Sequence, residues 1–198
     1  MIFKIDKLAG LSMRLLFLLA MANASFHLMP AMADDYYNDG SYQLLSDSQL
    51  DSLVAPVALY PDNLLIDIFQ AATHPDQISE AVGWLRLNSD TSQIALQFWN
   101  PSVIAVAYYP SIINMLYQQT SWTSLLGQAY QNQKSDLLDS VQRKRSQAQN
   151  QGNLVSTSQQ TVSTMGDAIT IASVDPTVTY VPQYNPALVY NQTAPVAA

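Results

Sequence analysis

The chain has 198 residues, a formal net charge of −7 and no cysteine. The lack of cysteine excludes disulfides and thiol catalysis, and the acidic balance disfavours binding to the phosphate backbone of nucleic acids. After the first 33 residues, His74 is the only histidine. It cannot supply the three or four nitrogen or sulfur ligands that a zinc site needs.

Residues 1–33 have the pattern of a secretory signal peptide: a basic start, an apolar region from Leu15, and the small-x-small motif Ala31-Met32-Ala33. Polar residues interrupt the apolar region, which is therefore too short for a membrane span of about 20 residues. An uncleaved anchor is the alternative. We expect cleavage after Ala33, a periplasmic or secreted mature protein beginning at Asp34, and no stable membrane span.

Residues 34–45 are acidic and short of aliphatic side chains, which predicts a flexible leader. Apolar side chains then recur at helical spacing through residue 152, which predicts a helical domain over residues 46–152. Capping residues and prolines mark the helix starts. Helices are expected over residues 46–58, from Pro61, after His74, over 90–98, 100–108 and 110–118, and, as the longest, over 122–150.

The pattern changes after Gly152 to alternating, β-branched residues. Candidate strands lie at residues 161–165, 168–173 and 177–181, separated by turn signals. We expect residues 153–190 to form an arm with an antiparallel hairpin or three-stranded sheet, and residues 191–198 to be a disordered tail. The predicted fold is mainly α with a small C-terminal antiparallel sheet (α+β), with the helices in a multi-helix orthogonal bundle.

Nine short motifs lie in one order along this body, and together they resemble the domain of unknown function 3300 family, a group of exported bacterial proteins. The resemblance covers about residues 50–190 and implies an envelope protein, but it transfers no catalytic residue. The motifs are LDSLVAPVALYPD at residues 50–62, Trp99-Asn100-Pro101-Ser102-Val103, Tyr109-Pro110, Trp122-Thr123, Leu126-Gly127, Val141-Gln142-Arg143, Gly152-Asn153-Leu154, Gln159-Gln160-Thr161-Val162 and YVPQYNP at residues 180–186.

Two carboxylate pairs, Asp47 with Asp51 and Asp76 with Glu80, have the i,i+4 spacing of one helix face. Calcium binding or paired acid–base work would use such pairs, but helix capping and the helix dipole explain them more simply. His74 lies between two predicted helices, which indicates a connector rather than a catalytic base. We therefore expect no catalytic residue, no metal ligand and no cofactor.

The basic run Arg143-Lys144-Arg145 lies near the C-terminal end of the longest predicted helix. Cations there complement the helix dipole. A contact with phosphate or anionic lipid is the alternative, although the acidity of the chain argues against an extended one.

Tyrosines beside proline or asparagine are the candidate partner-binding residues: Tyr60, Tyr109, Tyr180 and Tyr184. A residue before proline is pushed out of helical geometry, so Tyr60 and Tyr109 are expected at sharp corners. Residues 180–186 are extended and pre-organised, which favours docking into a groove. The alternative for these tyrosines is a structural role, in which their hydroxyl groups anchor corners.

These observations favour a non-enzymatic envelope protein that serves an interaction or accessory role with another envelope protein. A module that binds cell-wall glycan or peptide through aromatic side chains is the alternative, and a carboxylate-based hydrolase comes third. A glycan module predicts a groove lined by coplanar aromatic rings, whereas a hydrolase predicts two carboxylates about 5–10 Å apart in a cleft.

Overall fold

The computed structural model describes residues 42–191. The predicted signal peptide, most of the predicted leader and nearly all of the predicted tail lie outside these residues. The described part is helical with one small sheet, which confirms the predicted α+β class. Its elements are α1 Asp47–Val54, α2 Asp62–Ala71, α3 Pro75–Leu87, a 3₁₀-helix Thr91–Leu96, α4 Pro101–Ala107, α5 Pro110–Gln118, α6 Thr120–Asn132, α7 Lys134–Asn150, β1 Gln160–Met165, β2 Ala168–Ser173 and α8 Pro186–Val189.

Most helices begin where the sequence predicts. Ser46 forms a capping box with Gln49: its side chain accepts from the Gln49 N–H, and its own N–H donates to Gln49 Oε1 at 2.9 Å. Prolines at the first turn start α3, α4 and α5. The first helix ends at Val54, earlier than the predicted residue 58, because Pro56 has no N–H to continue the helical hydrogen bonds.

The prediction of one helix over residues 122–150 is wrong. The chain leaves helical geometry at Gln133 (φ −136°, ψ 42°), which separates α6 from α7. The buried Gln133 side chain accepts from the Leu45 N–H at 2.7 Å and donates to the Leu45 carbonyl at 3.0 Å. The Tyr42 hydroxyl also donates to Gln133 Oε1, at 2.5 Å. The Gln133 side chain therefore holds Tyr42 and Leu45, which lie just before α1.

The core is formed by pairing of helices distant in sequence. The closest pairs are α1 with α7, α2 with α4, and α3 with α5. Each contributes an apolar face at helical spacing, as α2 does with Leu64, Leu65, Ile68 and Phe69, all buried. Burial of such side chains contributes about 1.5–3 kcal/mol each. No helix of the described part is long and apolar enough to cross a membrane.

The sheet is an antiparallel hairpin of two strands, with Met165 paired to Ala168 across the turn. Gly166 has φ +60°, the left-handed conformation that the tight turn requires. The third candidate strand, residues 177–181, is not a strand. Ile169 and Ile171 alternate along β2 and are buried together with Leu59, Ala148, Leu154 and Tyr190. The hairpin therefore packs on its own helices.

The outer edge of β2 is held by side chains of the helices. The Ile169 N–H donates to Gln142 Oε1 at 2.8 Å, and its carbonyl accepts from Arg145 Nη1 at 2.8 Å. The Ile171 N–H donates to Asp62 Oδ1 at 3.4 Å. An edge strand otherwise leaves such groups open to pairing with another chain. Here they are paired within the molecule.

The outer edge of β1 is covered in a similar way. Ser156 Oγ accepts from the Val162 N–H at 2.9 Å and donates to the Val162 carbonyl at 3.2 Å. The Gln160 N–H and carbonyl are likewise bonded to Thr157. Both edges of the hairpin are thus largely satisfied, which leaves little main chain for strand addition by a partner.

Candidate functional site

Two of the predicted partner-binding tyrosines meet inside the protein. The rings of Tyr60 and Tyr184 pack edge to face with centroids 6.0 Å apart, and Tyr190 joins Tyr184 at 6.4 Å. The Tyr184 and Tyr190 hydroxyls both donate to the Ala55 carbonyl, at 3.0 and 2.8 Å. The Leu59 N–H donates in turn to the Tyr184 hydroxyl at 3.4 Å. These three tyrosines, the tyrosine cluster, therefore fasten the turn between α1 and α2.

Burial keeps the hydroxyl groups of this cluster protonated. It raises the pKa of Tyr184 well above that of a free tyrosine, and the neighbouring Tyr190 adds to the increase. Burial likewise raises the pKa values of Tyr190 and Tyr60. A neutral hydroxyl donates a hydrogen bond, so the cluster retains its bonds to Ala55 at physiological pH.

The other two predicted tyrosines lie elsewhere. Tyr109 directly precedes α5 with φ −115° and ψ 89°, the non-helical geometry expected before proline. Tyr180 is half-buried, and its N–H donates to Ser173 Oγ at 3.0 Å. Tyr180 and Tyr184 both line a small cavity, whereas Tyr109 belongs to the corner between α4 and α5. Their partner-binding role stays a prediction.

Arg145 is the most buried charged residue of the described part, with 2% of its surface exposed. Its Nε donates to the Ala58 carbonyl at 2.9 Å, Nη2 to the Tyr60 carbonyl at 3.0 Å, and Nη1 to the Ile169 carbonyl at 2.8 Å. Nη1 also pairs with Asp62 at 2.5 Å. The guanidinium group therefore joins the Tyr-Pro corner before α2 to the hairpin.

The interpretation of the basic run as a partner of the helix dipole is wrong. None of its residues lies in the last turn of α7. Arg143 instead pairs with Asp51 at 2.7 Å and Asp47 at 3.5 Å, and Lys144 lies 3.8 Å from the centroid of the Tyr190 ring. The cations face the body of the protein because α7 packs against α1 and the Tyr-Pro corner.

The Arg143 contact also explains why Asp47 and Asp51 share a helix face. A cation between two carboxylates offsets their repulsion. No local pattern in the sequence predicts this contact, because Arg143 in α7 lies about 90 residues after the two aspartates. In residues 42–191, no group of three or more His, Cys, Asp or Glu side chains is placed to hold a metal ion. His74 directly precedes α3, as expected for a connector.

An exposed aromatic surface lies where α3, the 3₁₀-helix and α4 follow one another. The Trp84 and Trp99 rings pack edge to face with centroids 6.0 Å apart. Both tryptophans are half-buried. Close to them in sequence, Leu87 is 87% exposed, Leu96 is 67% exposed and Phe98 is fully exposed. We call these five residues the α3–α4 aromatic surface. Exposed apolar side chains that cluster in this way mark interaction sites more often than single ones do.

The sequence alone does not reveal this surface, because apolar periodicity does not distinguish a buried side chain from an exposed one. The sequence predicted that Phe98 ends a short helix. The 3₁₀-helix stops at Leu96, and Gln97 is extended with φ −76° and ψ 152°, so Phe98 leaves the helical path. The sequence feature that could have indicated an exposed aromatic surface is the pair Trp84 and Trp99, which lie on either side of a polar run at residues 88–93.

The described part also has two concave regions. A groove of about 620 Å³ lies between α7 and the hairpin turn, and most of the residues that line it are of polar types, such as Gln142, Ser146, Asn150 and Asp167. A cavity of about 170 Å³ lies beside Tyr180 and Tyr184. Ring pairs in the described residues cross at 36° to 82°, so none forms the coplanar platform that a glycan groove predicts.

Comparison with known proteins places these features in a family. The family model described as protein of unknown function (DUF3300) matches residues 46–195. The uncharacterized protein YacH of Escherichia coli (strain K12) is 32% identical in a match that covers 77% of this chain and 31% of YacH. The chain thus spans about a third of that relative's length, and no solved structure matches. This chain belongs to the DUF3300 family of proteins of unknown function.

Proposed function

We propose that this protein is an exported, non-enzymatic protein of the bacterial envelope that binds another envelope protein through the α3–α4 aromatic surface. The observation that carries the proposal is the full exposure of Phe98, next in sequence to Trp99 of the Trp84–Trp99 pair, together with the exposure of Leu87. Leaving such side chains in water is unfavourable by about 1.5–3 kcal/mol each relative to burial. A partner that covers them gains this energy.

The charge of the surface favours a protein over a membrane. Residues 84–99 contain one cation and one anion, Arg86 and Asp90, and Arg86 lies over the Tyr117 ring at 5.3 Å. The chain as a whole is acidic, so anionic lipid headgroups repel it. Aromatic residues with few charges around them are typical of the centre of a protein–protein interface.

Export is supported by the pattern of residues 1–33, which predicts a periplasmic or secreted mature protein. N-terminal sequencing of the protein isolated from cells is the direct measurement, and Asp34 is the expected first residue. A first residue of Met1 together with membrane association would replace this part of the proposal with an uncleaved anchor.

A non-enzymatic role is supported by how the candidate carboxylates are used. Asp47 and Asp51 converge on Arg143 rather than on a cleft. Asp62, the first residue of α2, is bonded to Arg145. A glycan-binding module is the second candidate, because amide and tyrosine side chains line the small cavity.

In-cell photo-crosslinking tests the proposed surface. A photoreactive phenylalanine analogue replaces Phe98, and in a matched control it replaces Met165, which is 86% exposed at the hairpin turn. We expect position 98, and not position 165, to capture one envelope protein that mass spectrometry identifies. The purified pair should then bind, and Leu87→Ser should weaken that binding at least about tenfold without lowering the melting temperature. Equal capture at both positions, or none at position 98, would overturn the surface assignment.

A further inference from the structure

The cavity beside the hairpin has the size of a site for one small chemical group. Its volume is about 170 Å³, many times the 10–15 Å³ that one water needs and below the roughly 300–1,000 Å³ of a pocket for a drug-sized ligand. Leu59, Leu154 and Val189 supply an apolar lining. Its remaining lining residues are also uncharged: Asn153, Thr157, Gln160, Tyr180, Pro182, Gln183 and Tyr184.

One lining residue, Gln160, holds an unused hydrogen-bond acceptor. Gln160 is only 8% exposed, and its Oε1 is buried with no hydrogen-bond partner among the described residues. A buried acceptor without a donor lowers stability. Among the described residues, the side-chain amide is held by a bond from Nε2 to the Val155 carbonyl at 3.2 Å. Gln160 lines the cavity. Binding through Oε1 requires the side-chain amide to rotate toward the cavity, which the broad terminal torsion of glutamine allows.

Two further polar side chains line the cavity. The Tyr180 hydroxyl and the Gln183 amide make no hydrogen bond within the described residues. Tyr180 is half-buried and Gln183 exposed, which places them toward solvent relative to Gln160. The cavity therefore combines an apolar lining, a buried acceptor and more exposed groups that both donate and accept.

We propose that this cavity binds a neutral N-acetylated sugar residue. Its acetamido N–H would donate to Gln160 Oε1, and its methyl group would pack on Leu154 and Val189. The sugar ring would lie against Tyr180, with its hydroxyl groups bonded to Gln183. Charged ligands are disfavoured because no lining side chain offsets the cost of burying their charge.

A sugar fits these groups better than a peptide does. A peptide amide supplies the same N–H beside an apolar neighbour, but it lacks the hydroxyl groups that Gln183 and Tyr180 would meet. The site is lined by Leu59, by residues 153–160, which lead into the hairpin, and by residues 180–189, which follow it. All of these lie away in sequence from the α3–α4 aromatic surface. The two proposals therefore fail or succeed separately.

Titration of the ¹⁵N-labelled mature protein, followed by NMR, tests the site. We expect N-acetylglucosamine to shift the Gln160 side-chain amide and the backbone signals of Leu154 and Val189. Glucose, which lacks the acetamido group, should bind at least about tenfold more weakly, because it loses the hydrogen bond to Gln160 Oε1 and the burial of the acetamido methyl group. Shifts from neither sugar, equal affinity for both, or tighter binding of N-acetylalanine amide would overturn the proposal.

Substitutions locate the binding groups. Gln160→Met keeps the side-chain length and removes the acceptor, and Gln183→Ala removes an exposed amide without disturbing the core. Both should weaken N-acetylglucosamine binding about tenfold, and the melting temperature of Gln183→Ala should equal that of the wild type. Gln159→Ala, an exposed neighbour outside the cavity lining, is the control. Wild-type affinity in both Gln160→Met and Gln183→Ala would overturn the assignment.

Discussion

The guanidinium group of Arg145 donates from Nη1 to the main-chain carbonyl of Ile169 at 2.8 Å. This bond joins the last long helix to the outer edge of the hairpin. The other nitrogens of Arg145 bind the carbonyls of Ala58 and Tyr60. One side chain therefore satisfies three main-chain acceptors from two segments that no local sequence pattern connects, and it makes the hairpin and the Tyr-Pro corner parts of one structure.

Replacing Arg145 should strongly destabilise the fold. Arg145→Leu leaves three carbonyl groups without a donor, and hydrogen bonds from charged donors contribute about 1.5–3 kcal/mol each. We expect the free energy of unfolding to fall by at least about 3 kcal/mol. Arg145→Lys should also destabilise, because an ammonium group cannot reach three carbonyls in the directions that the planar guanidinium does. Urea unfolding followed by circular dichroism measures both.

Arg143→Leu is the matched control two residues away. Arg143 is partly exposed, with 38% of its side-chain surface in solvent, and its partner Asp47 is 80% exposed. Ion pairs in such surroundings contribute about 0–1 kcal/mol. A loss in Arg143→Leu as large as that in Arg145→Leu would show that charge near α1, rather than the buried bonds, determines the effect.

Local signals in the sequence predicted much of the secondary structure. Pro75, Pro101 and Pro110 start helices, and Asn100 caps α4 by accepting from the Ser102 N–H at 3.0 Å. The turn at Gly166 also follows the prediction. Each of these features depends on contacts within about four residues, and this is why a single sequence reveals them.

Features that depend on distant contacts were not predictable. The helix is interrupted at Gln133, whose side chain is hydrogen-bonded to the main chain of Leu45, 88 residues earlier. Arg145 was interpreted as a cation that complements the helix dipole because its carbonyl partners are 24 to 87 residues away. Phe98 was missed for the opposite reason, since only the folded molecule shows that nothing in the described part covers it. The small cavity likewise forms from segments that only the tertiary fold brings together.

Tyr184 and Tyr190 should show strong energetic coupling. Both hydroxyls donate to the Ala55 carbonyl, so either single Tyr→Phe change leaves that acceptor with one donor. Each single variant should lose about 0.5–1.5 kcal/mol, and the double variant should lose more than the sum. Urea unfolding of the two singles and the double gives the coupling directly. A strictly additive double variant would show that Ala55 is satisfied by other means.

The tyrosine cluster should also make the fold sensitive to alkaline pH. Burial raises the pKa values of Tyr184 and Tyr190 in the folded protein, whereas in the unfolded chain tyrosine titrates near pH 10. Their contribution is therefore fully present below about pH 10 and is lost as pH rises toward the folded pKa. We expect the free energy of unfolding to fall above pH 10 by about 1.4 kcal/mol per pH unit for each such tyrosine.

Stability measured from pH 9 to 11.5 checks this dependence. Above pH 10, Tyr190→Phe should make the free energy of unfolding fall less steeply with pH than in the wild type, by about 1.4 kcal/mol per pH unit, because one titrating tyrosine is removed. Tyr108→Phe, which changes a tyrosine that is 45% exposed, serves as the control. If the slope is the same in Tyr190→Phe as in the wild type, a different group accounts for the alkaline loss.

Two glycines in helices should respond in opposite ways to alanine. A Cβ atom at Gly127 would lie 2.3 Å from the Ala72 carbonyl oxygen, so α6 can approach the end of α2 this closely only without a side chain. Gly127→Ala should therefore lose about 1–3 kcal/mol, the usual cost of overpacking. A Cβ at Gly83 in α3 meets no atom within 4 Å, and Gly83→Ala should gain about 0.5–1 kcal/mol from helix propensity. Thermal unfolding of both variants measures these changes. A Gly127→Ala protein as stable as the wild type would contradict the prediction, because it would mean that α2 and α6 can move apart without loss of stability.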